Sequence, residues 1–230
     1  MLLRSLSVFT ALTLALGCGD GGTSTPGGIE REDDGGVATN ATNPYGAEYP
    51  SANVGRVARK GSAAGNTIEN FRFQGYPDGV VGDLKPMQMA DFYDPELRSN
   101  IRLIHIQASG SWCPVCRQET QAVKAKLAEW REKGVVWILS MAEGSVGGRP
   151  SDKDDLDKWI KQYDLDHPAW LDSGNAQLGV FYNAAAMPWN ATIDATTMEI
   201  VDSHVGFSGI EGLERDFDKW LGEIKERTGK

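Results

Sequence analysis

The chain predicts an α/β fold with a mixed central sheet and helices on both faces, and three observations carry that expectation. Two β-branched apolar runs, Arg102 to Gln107 and Val135 to Met141, read as buried strands separated by a helix-patterned segment. Two further strands, Trp189 to Ile193 and Glu199 to Val205, are joined by Asp194-Ala195-Thr196-Thr197, a hairpin signal. The order β-α-β-α-β-β-α then needs helical crossovers for its parallel pairs and allows an antiparallel end.

The elements follow in order. Asn70 to Phe73 alternates apolar and polar residues, a short strand, and Tyr76-Pro77-Asp78-Gly79 is a turn. Lys85 to Tyr93 reads as a short strand and loop. Pro114 to Glu132 places Val123, Leu127 and Trp130 on one helical stripe, and Gly134 stops it. Ser151-Asp152 caps a helix to about Tyr163, with Leu156, Trp159 and Ile160 inward. Ala169 to Leu171 is a short strand and Asn175 to Tyr182 a helix. Gly212 to Glu226 closes the chain as an amphipathic helix, with Leu213, Phe217, Trp220, Leu221 and Ile224 inward.

Trp112-Cys113-Pro114-Val115-Cys116 falls where the first buried strand meets its helix. Two cysteines at this spacing read as a redox pair. The free N–H groups and partial positive charge of a helix start favour thiolate over thiol, and such sites bring a cysteine pKa to roughly 3.5–7.5. Two other readings compete. Half a zinc site needs about four ligands in all, and the chain offers only Cys18 and three scattered histidines besides. A purely structural disulfide closing so short a loop would constrain the unfolded chain little. The thiolate is the nucleophile of disulfide exchange, so the placement favours chemistry.

The first residues read as an export signal. Arg4 supplies a positive charge, and Leu6 to Leu16 form an apolar run too short to span a bilayer. Ala15-Leu16-Gly17 before Cys18 is similar to a bacterial lipobox, although Leu stands at position 14 rather than 15. Lipidation of Cys18 after removal of residues 1–17 is therefore expected, with ordinary export the alternative. Residues 18–60 are expected to be a flexible tether: Gly19 to about Tyr49 is rich in Gly, Thr, Asn, Ser and Pro and lacks apolar periodicity. About 40 such residues reach roughly 35 Å. Residues 61–230 are long enough for one domain with its own core. A net charge of −9 argues against nucleic acid and against electrostatic docking on anionic lipid.

With the pair opening the first helix, this order resembles the thioredoxin fold. Trp112-Cys113-Pro114-Val115-Cys116-Arg117-Gln118-Glu119 is similar to the W-C-x-x-C-R-x-E signature of TlpA/ResA-like thioredoxins, membrane-tethered thiol-disulfide oxidoreductases of bacterial envelopes. The resemblance covers roughly residues 65–226. It implies Cys113 as the nucleophile nearer the surface, Cys116 as the resolving thiol, and Trp112 as a docking surface. It implies a cis-proline at Pro188, with the backbone of Met187 meeting the substrate chain, and an acidic residue near the pair at Glu143. It implies protein thiols and disulfides as substrates, an unidentified recycling partner, a lipid anchor, a monomer, and no cofactor or metal. Two departures bear on the chemistry. Gln107 stands where thioredoxin has a buried aspartate, so the Cys116 proton is expected to pass to Glu143 or water. Pro114-Val115 replaces thioredoxin's Gly-Pro, which leaves an oxidant open beside the reductant that the family implies. A thioredoxin-fold peroxidase is a third reading, with Gly110 standing where peroxiredoxins place Thr or Ser. A Sco-like copper module, drawing on His204, is the fourth; its cysteine spacing would be one residue longer.

Overall fold

The computed structural model describes residues 41–50, 59–183 and 185–230. The signal, Cys18 and most of the expected tether lie outside the described residues. The strands are β1 (Arg59–Lys60), β2 (Asn66–Thr67), β3 (Arg72–Tyr76), β4 (Lys85–Gln88), β5 (Leu103–Gly110), β6 (Val135–Glu143), β7 (Ala169–Leu171), β8 (Trp189–Asp194) and β9 (Glu199–Val205). The helices are α1 (Pro114–Val123), α2 (Leu127–Glu132), α3 (Lys153–Tyr163) and α4 (Ile210–Thr228). The strands form one sheet in the order β1-β2-β9-β8-β5-β6-β7-β3-β4. β5, β6 and β7 run parallel, and β8 returns antiparallel against β5.

β5 sits at the centre because both its faces are covered. Ile104, Ile106 and Ala108 face a core with Trp170, Phe73 and the α3 residues Leu156, Trp159 and Ile160. Leu103 faces a second core with Val123, Trp130, Trp137, Phe217 and Ile224, from α1, α2, β6 and α4. His105 lies on that same face, its ring against Trp137 and Phe217. Period-two alternation thus sorts β5 into two layers. Gly134 enters β6 at φ 90°, and a side chain there would lie 2.6 Å from the Asn100 carbonyl oxygen. Only glycine suits both demands.

The structure differs from the expected elements in four places. The long first helix is broken: Lys126 N–H bonds the Val123 carbonyl, an i→i−3 closure that ends α1 before α2 begins. Val123, Leu127 and Trp130 still reach one core across the break. The helix expected over 175–182 is a single 3-10 turn, Leu178–Val180. Here the Asp172 carboxylate takes the Gln177 and Leu178 N–H groups, at 2.7 and 2.9 Å, and sets a tight turn instead. β1 and β2, two residues each, carry no periodic signal and form on the β9 edge.

The fourth difference concerns residues 41–50, expected within the flexible tether. They pack on the domain. Asn43 Nδ2 donates to the Tyr93 carbonyl at 2.9 Å, and Tyr49 Oη donates to the Ile68 carbonyl at 2.9 Å. The Tyr45 hydroxyl donates to Asp94, which also takes the N–H groups of Arg98, Ser99 and Ile101. Arg98 lies over the Tyr45 ring, 4.9 Å from its centroid. Tyrosine and asparagine find buried partners here, so the polar composition of the segment does not leave it solvated.

Candidate active site

The redox pair stands where β5 ends. Cys113 is the N-cap of α1, with Pro114 in the first helical turn, where a missing N–H costs nothing. Cys113 N–H bonds the Gly110 carbonyl at 3.0 Å, closing the turn between strand and helix. The two sulfurs form a disulfide, with Cα atoms 5.3 Å apart. Cys116 N–H donates to Cys113 Sγ at 3.1 Å, so a helix-start donor does point at the first sulfur. The expected exposure of Cys113 is corrected: it is 2 % exposed and Cys116 0 %. Both pack in the same cluster as Met187, with Trp112 against it. Pro114 and Val115, between the cysteines, are both exposed.

Trp112 is held from several sides. Its backbone N–H bonds the Gly144 carbonyl, and Ser111 N–H bonds the Glu143 carbonyl, tying the β5–α1 turn to the end of β6. Its indole Nε1 donates to Glu143 Oε2 at 2.5 Å. Glu143 is buried, and its carboxylate accepts from the Trp112 indole rather than from either cysteine. A side chain on Gly110 would lie 2.7 Å from Trp112 Nε1 and 3.1 Å from Met187 Sδ, which places these three residues together. The Met187–Pro188 peptide bond is cis, and both residues are buried. The structure therefore brings Trp112, Cys113, Cys116, Glu143, Met187 and Pro188 to one end of the sheet.

Gln107 is fully buried beneath the pair. Its Nε2 donates to the Cys116 carbonyl at 3.2 Å and to Thr120 Oγ1 at 3.1 Å. An ionisable group also lies there, Glu119, the last residue of the motif. It follows Cys116 by three residues, so both share a face of α1. It is 0 % exposed. Asn190 Nδ2 donates to its Oε1 at 3.0 Å. Oε2 is buried with no hydrogen-bond partner among the described residues. Burial pushes its pKa up to about 8, although Asn190, His204 and Gln107 each favour the charged form. A carboxyl poised near neutrality is suited to exchange a proton with a thiol. The signal was in the motif, whose final position is Glu119, but burial and Asn190 are needed to read it.

His105 and His167 are buried, as core and loop residues, and burial pushes their pKa values down to about 3 and about 4. His204 is half-buried, with Nδ1 3.0 Å from Asp202 Oδ2. Among the described residues no group of three or more His, Cys, Asp or Glu side chains is arranged to hold a metal ion.

No family model matches the chain. It is 28 % identical over 106 residues to the thiol-disulfide oxidoreductase ResA of Bacillus cereus, covering 46 % of this chain and 56 % of that protein. It is 25 % identical over 146 residues to ResA of Oceanobacillus iheyensis, covering 59 % of this chain and 72 % of that one. The chain thus spans little more than half the length of the first of these relatives. The thioredoxin domain of a thiol-disulfide oxidoreductase from Bacteroides vulgatus superposes with a TM-score of 0.50 at 15 % identity, over 69 % of this chain and 98 % of that one. The fold is thioredoxin-like.

Proposed function

From the premise that the chain is a TlpA/ResA-like member of the thioredoxin family, we propose that it is a thiol-disulfide oxidoreductase that exchanges disulfides with protein substrates, acting as a reductant. One observation carries the reading: Cys113 and Cys116 are joined across the first turn of α1, with the Cys116 N–H on the Cys113 sulfur. The disulfide of this structure is the end state of that reaction. In the reduced pair, the Cys113 thiolate attacks one sulfur of a substrate disulfide, and the other sulfur leaves as thiolate. Cys116 then gives its proton to the Glu119 carboxylate and attacks Cys113 Sγ. The Sγ–Sγ bond forms, the mixed disulfide breaks, and the substrate departs with the electron pair. A reducing thiol partner, still to be identified, restores the pair.

The other residues take supporting roles. Trp112, Val115 and the Met187 backbone form the face on which a substrate chain lies, and Pro188 sets the path of that face. Glu143 holds the Trp112 indole. Proton transfer falls to Glu119 rather than Glu143, because Glu119 shares the Cys116 face of α1 and keeps a buried oxygen without a partner among the described residues, whereas Glu143 accepts from Trp112. The peroxidase reading meets a steric obstacle: a Thr or Ser at position 110 would collide with Trp112.

No helix among the described residues is long and apolar enough to cross a membrane. Lipid attachment at Cys18, placing the domain in the bacterial envelope, is proposed from the sequence alone. Acyl mass on the N-terminal peptide, lost in Cys18→Ser, would support it, and a mature chain starting elsewhere would oppose it. The redox reading is tested by insulin reduction under dithiothreitol, using a chain that begins at Ala41. Acceleration by the parent and none by the Cys113→Ser, Cys116→Ser double variant is the expected result. Equal rates would refute it.

A further inference from the structure

Beneath the pair, β5, β8 and β9 lie side by side, and their register sets two polar rows on one face of the sheet. Gln107, Asn190 and His204 form one row, and His105, Thr192 and Asp202 the next. Each hydrogen bond fixes a protonation state. Asn190 Nδ2 donates to Glu119 Oε1 and to the Gly206 carbonyl, at 3.0 and 3.1 Å. Its Oδ1 therefore accepts from His105 Nε2 at 3.2 Å, and His105 Nδ1 accepts from the Thr192 hydroxyl at 3.0 Å. Both His105 nitrogens are committed, and the ring is locked neutral. His204 is different. The Asp202 carboxylate holds a proton on Nδ1 and leaves the lone pair on Nε2. That Nε2 is buried and unpartnered among the described residues, as is Glu119 Oε2. A base and an acid, each with an open valence, thus both neighbour Asn190, Glu119 through its hydrogen bond and His204 as its cross-strand partner.

We propose that His204, oriented by Asp202, is the relay that takes the Glu119 proton to solvent, an inference that rests on the disulfide exchange proposed above. When Glu119 has received the Cys116 proton, its O–H bond breaks and, across a bridging water, an N–H bond forms at His204 Nε2. The imidazolium then gives up its Nδ1 proton by way of the Asp202 carboxylate, whose side chain is 41 % exposed, to water. No electrons move in this step, since they pass between sulfurs. His204 and Asp202 act through Glu119 and touch no substrate. The charges facing His204 are Asp202 on its own strand, Glu119 from α1 and Asp216 from α4, with Lys219 of α4 near Asp202 and the neutral His105 ring on β5. Asp202 is the strongest and raises the His204 pKa, burial opposes it, and Glu119 and Asp216 add to the rise. Burial thus keeps a proton on Glu119 until the pair needs a base, and Asp202 strengthens His204 as the group that takes it.

The test uses reciprocity, because two coupled sites must shift each other equally. In an NMR titration of the full reduced chain, the His204 imidazole midpoint should move to lower pH in Glu119→Gln, which removes the facing charge. In disulfide exchange, His204→Gln should lose about tenfold in turnover. The Glu119→Gln, His204→Gln double variant should then lose no more than Glu119→Gln alone. Asp202→Asn keeps the imidazole and should lose activity in the same direction. Losses that multiply in the double variant would overturn a shared path. A parent chain without exchange activity would overturn the functional reading itself, whereas an active parent with an unmoved His204 midpoint would overturn only the relay.

Discussion

Glu119 carries the clearest consequence at the scale of single residues. Burial raises its folded pKa to about 8, well above the ordinary carboxyl range. The folded chain therefore holds a proton that the unfolded chain releases, and stability falls as pH rises from the unfolded value through about 8. Thermal unfolding should show the parent losing more Tm between pH 5 and pH 9 than Glu119→Gln, which has no charge to bury. Equal losses would mean that Glu119 ionises freely in the folded chain. Gly110 gives a second prediction. Its missing side chain is what lets Trp112 Nε1 sit against it, so Gly110→Ser should cost about 1–3 kcal/mol by overpacking, measured by urea unfolding. It should also slow exchange by displacing the indole from Glu143. Cys113 and Cys116 were legible as a pair from spacing alone. The role of Glu119 was not, because it depends on Asn190, which reaches α1 from a strand far along the chain. Glu143, which the resemblance implies as the acidic residue near the pair, holds Trp112.

Among the elements, α3 shows how a local signal becomes a site wall. Asp152 caps it by accepting the Asp155 N–H at 3.0 Å, and Asp155 returns the bond to the Asp152 N–H at 3.2 Å. Arg149 Nη2 binds Asp155 at 2.5 Å, so the cap also fixes residues 144–149 of the preceding loop. A side chain at Gly147 of that loop would lie 3.6 Å from the Trp112 ring. Asp152→Ala should cost about 1 kcal/mol of stability, and loosen Trp112 as well. Tryptophan fluorescence quenching by acrylamide, in a background retaining Trp112, should rise; an unchanged Trp112 would show the loop to be held independently of the cap. This helix was readable because its cap and stripe are local. The break between α1 and α2 was not: Lys124-Ala125-Lys126 contains no helix breaker, and only packing around Val123, Leu127 and Trp130 decides it. The turn at Leu178–Val180 escaped notice for a similar reason, since Asp172 imposes it from outside the segment.

Across the whole molecule, composition misplaced the start of the domain. Ala41 to Pro50 looks solvated by its polar content, yet Asn43, Tyr45 and Tyr49 each spend their polar atoms on the domain. A chain beginning at Ser51 should melt below one beginning at Ala41, with the buried Asp94 left short of a partner. Equal melting temperatures would show the segment to be a passenger. The sheet order around β5, by contrast, followed from the buried runs and the hairpin, which need no distant partner to be recognised.

The Tyr45–Asp94 contact lies beside the start of β5, through Asp94 N–H on the Ala195 carbonyl, whereas Cys113 lies past its end. A strand of this length separates the two ends by roughly 23 Å. Mechanical load gives that separation a meaning. Tension applied at Ala41 would meet the Tyr49–Ala41 backbone bond and the side-chain bonds of Asn43 and Tyr45 before it met the sheet. The backbone ladders of β5, β6 and β8 stand behind them. The clasp is thus a mechanical fuse, which slackens the line before the pull can reach the far pole where the two sulfurs meet.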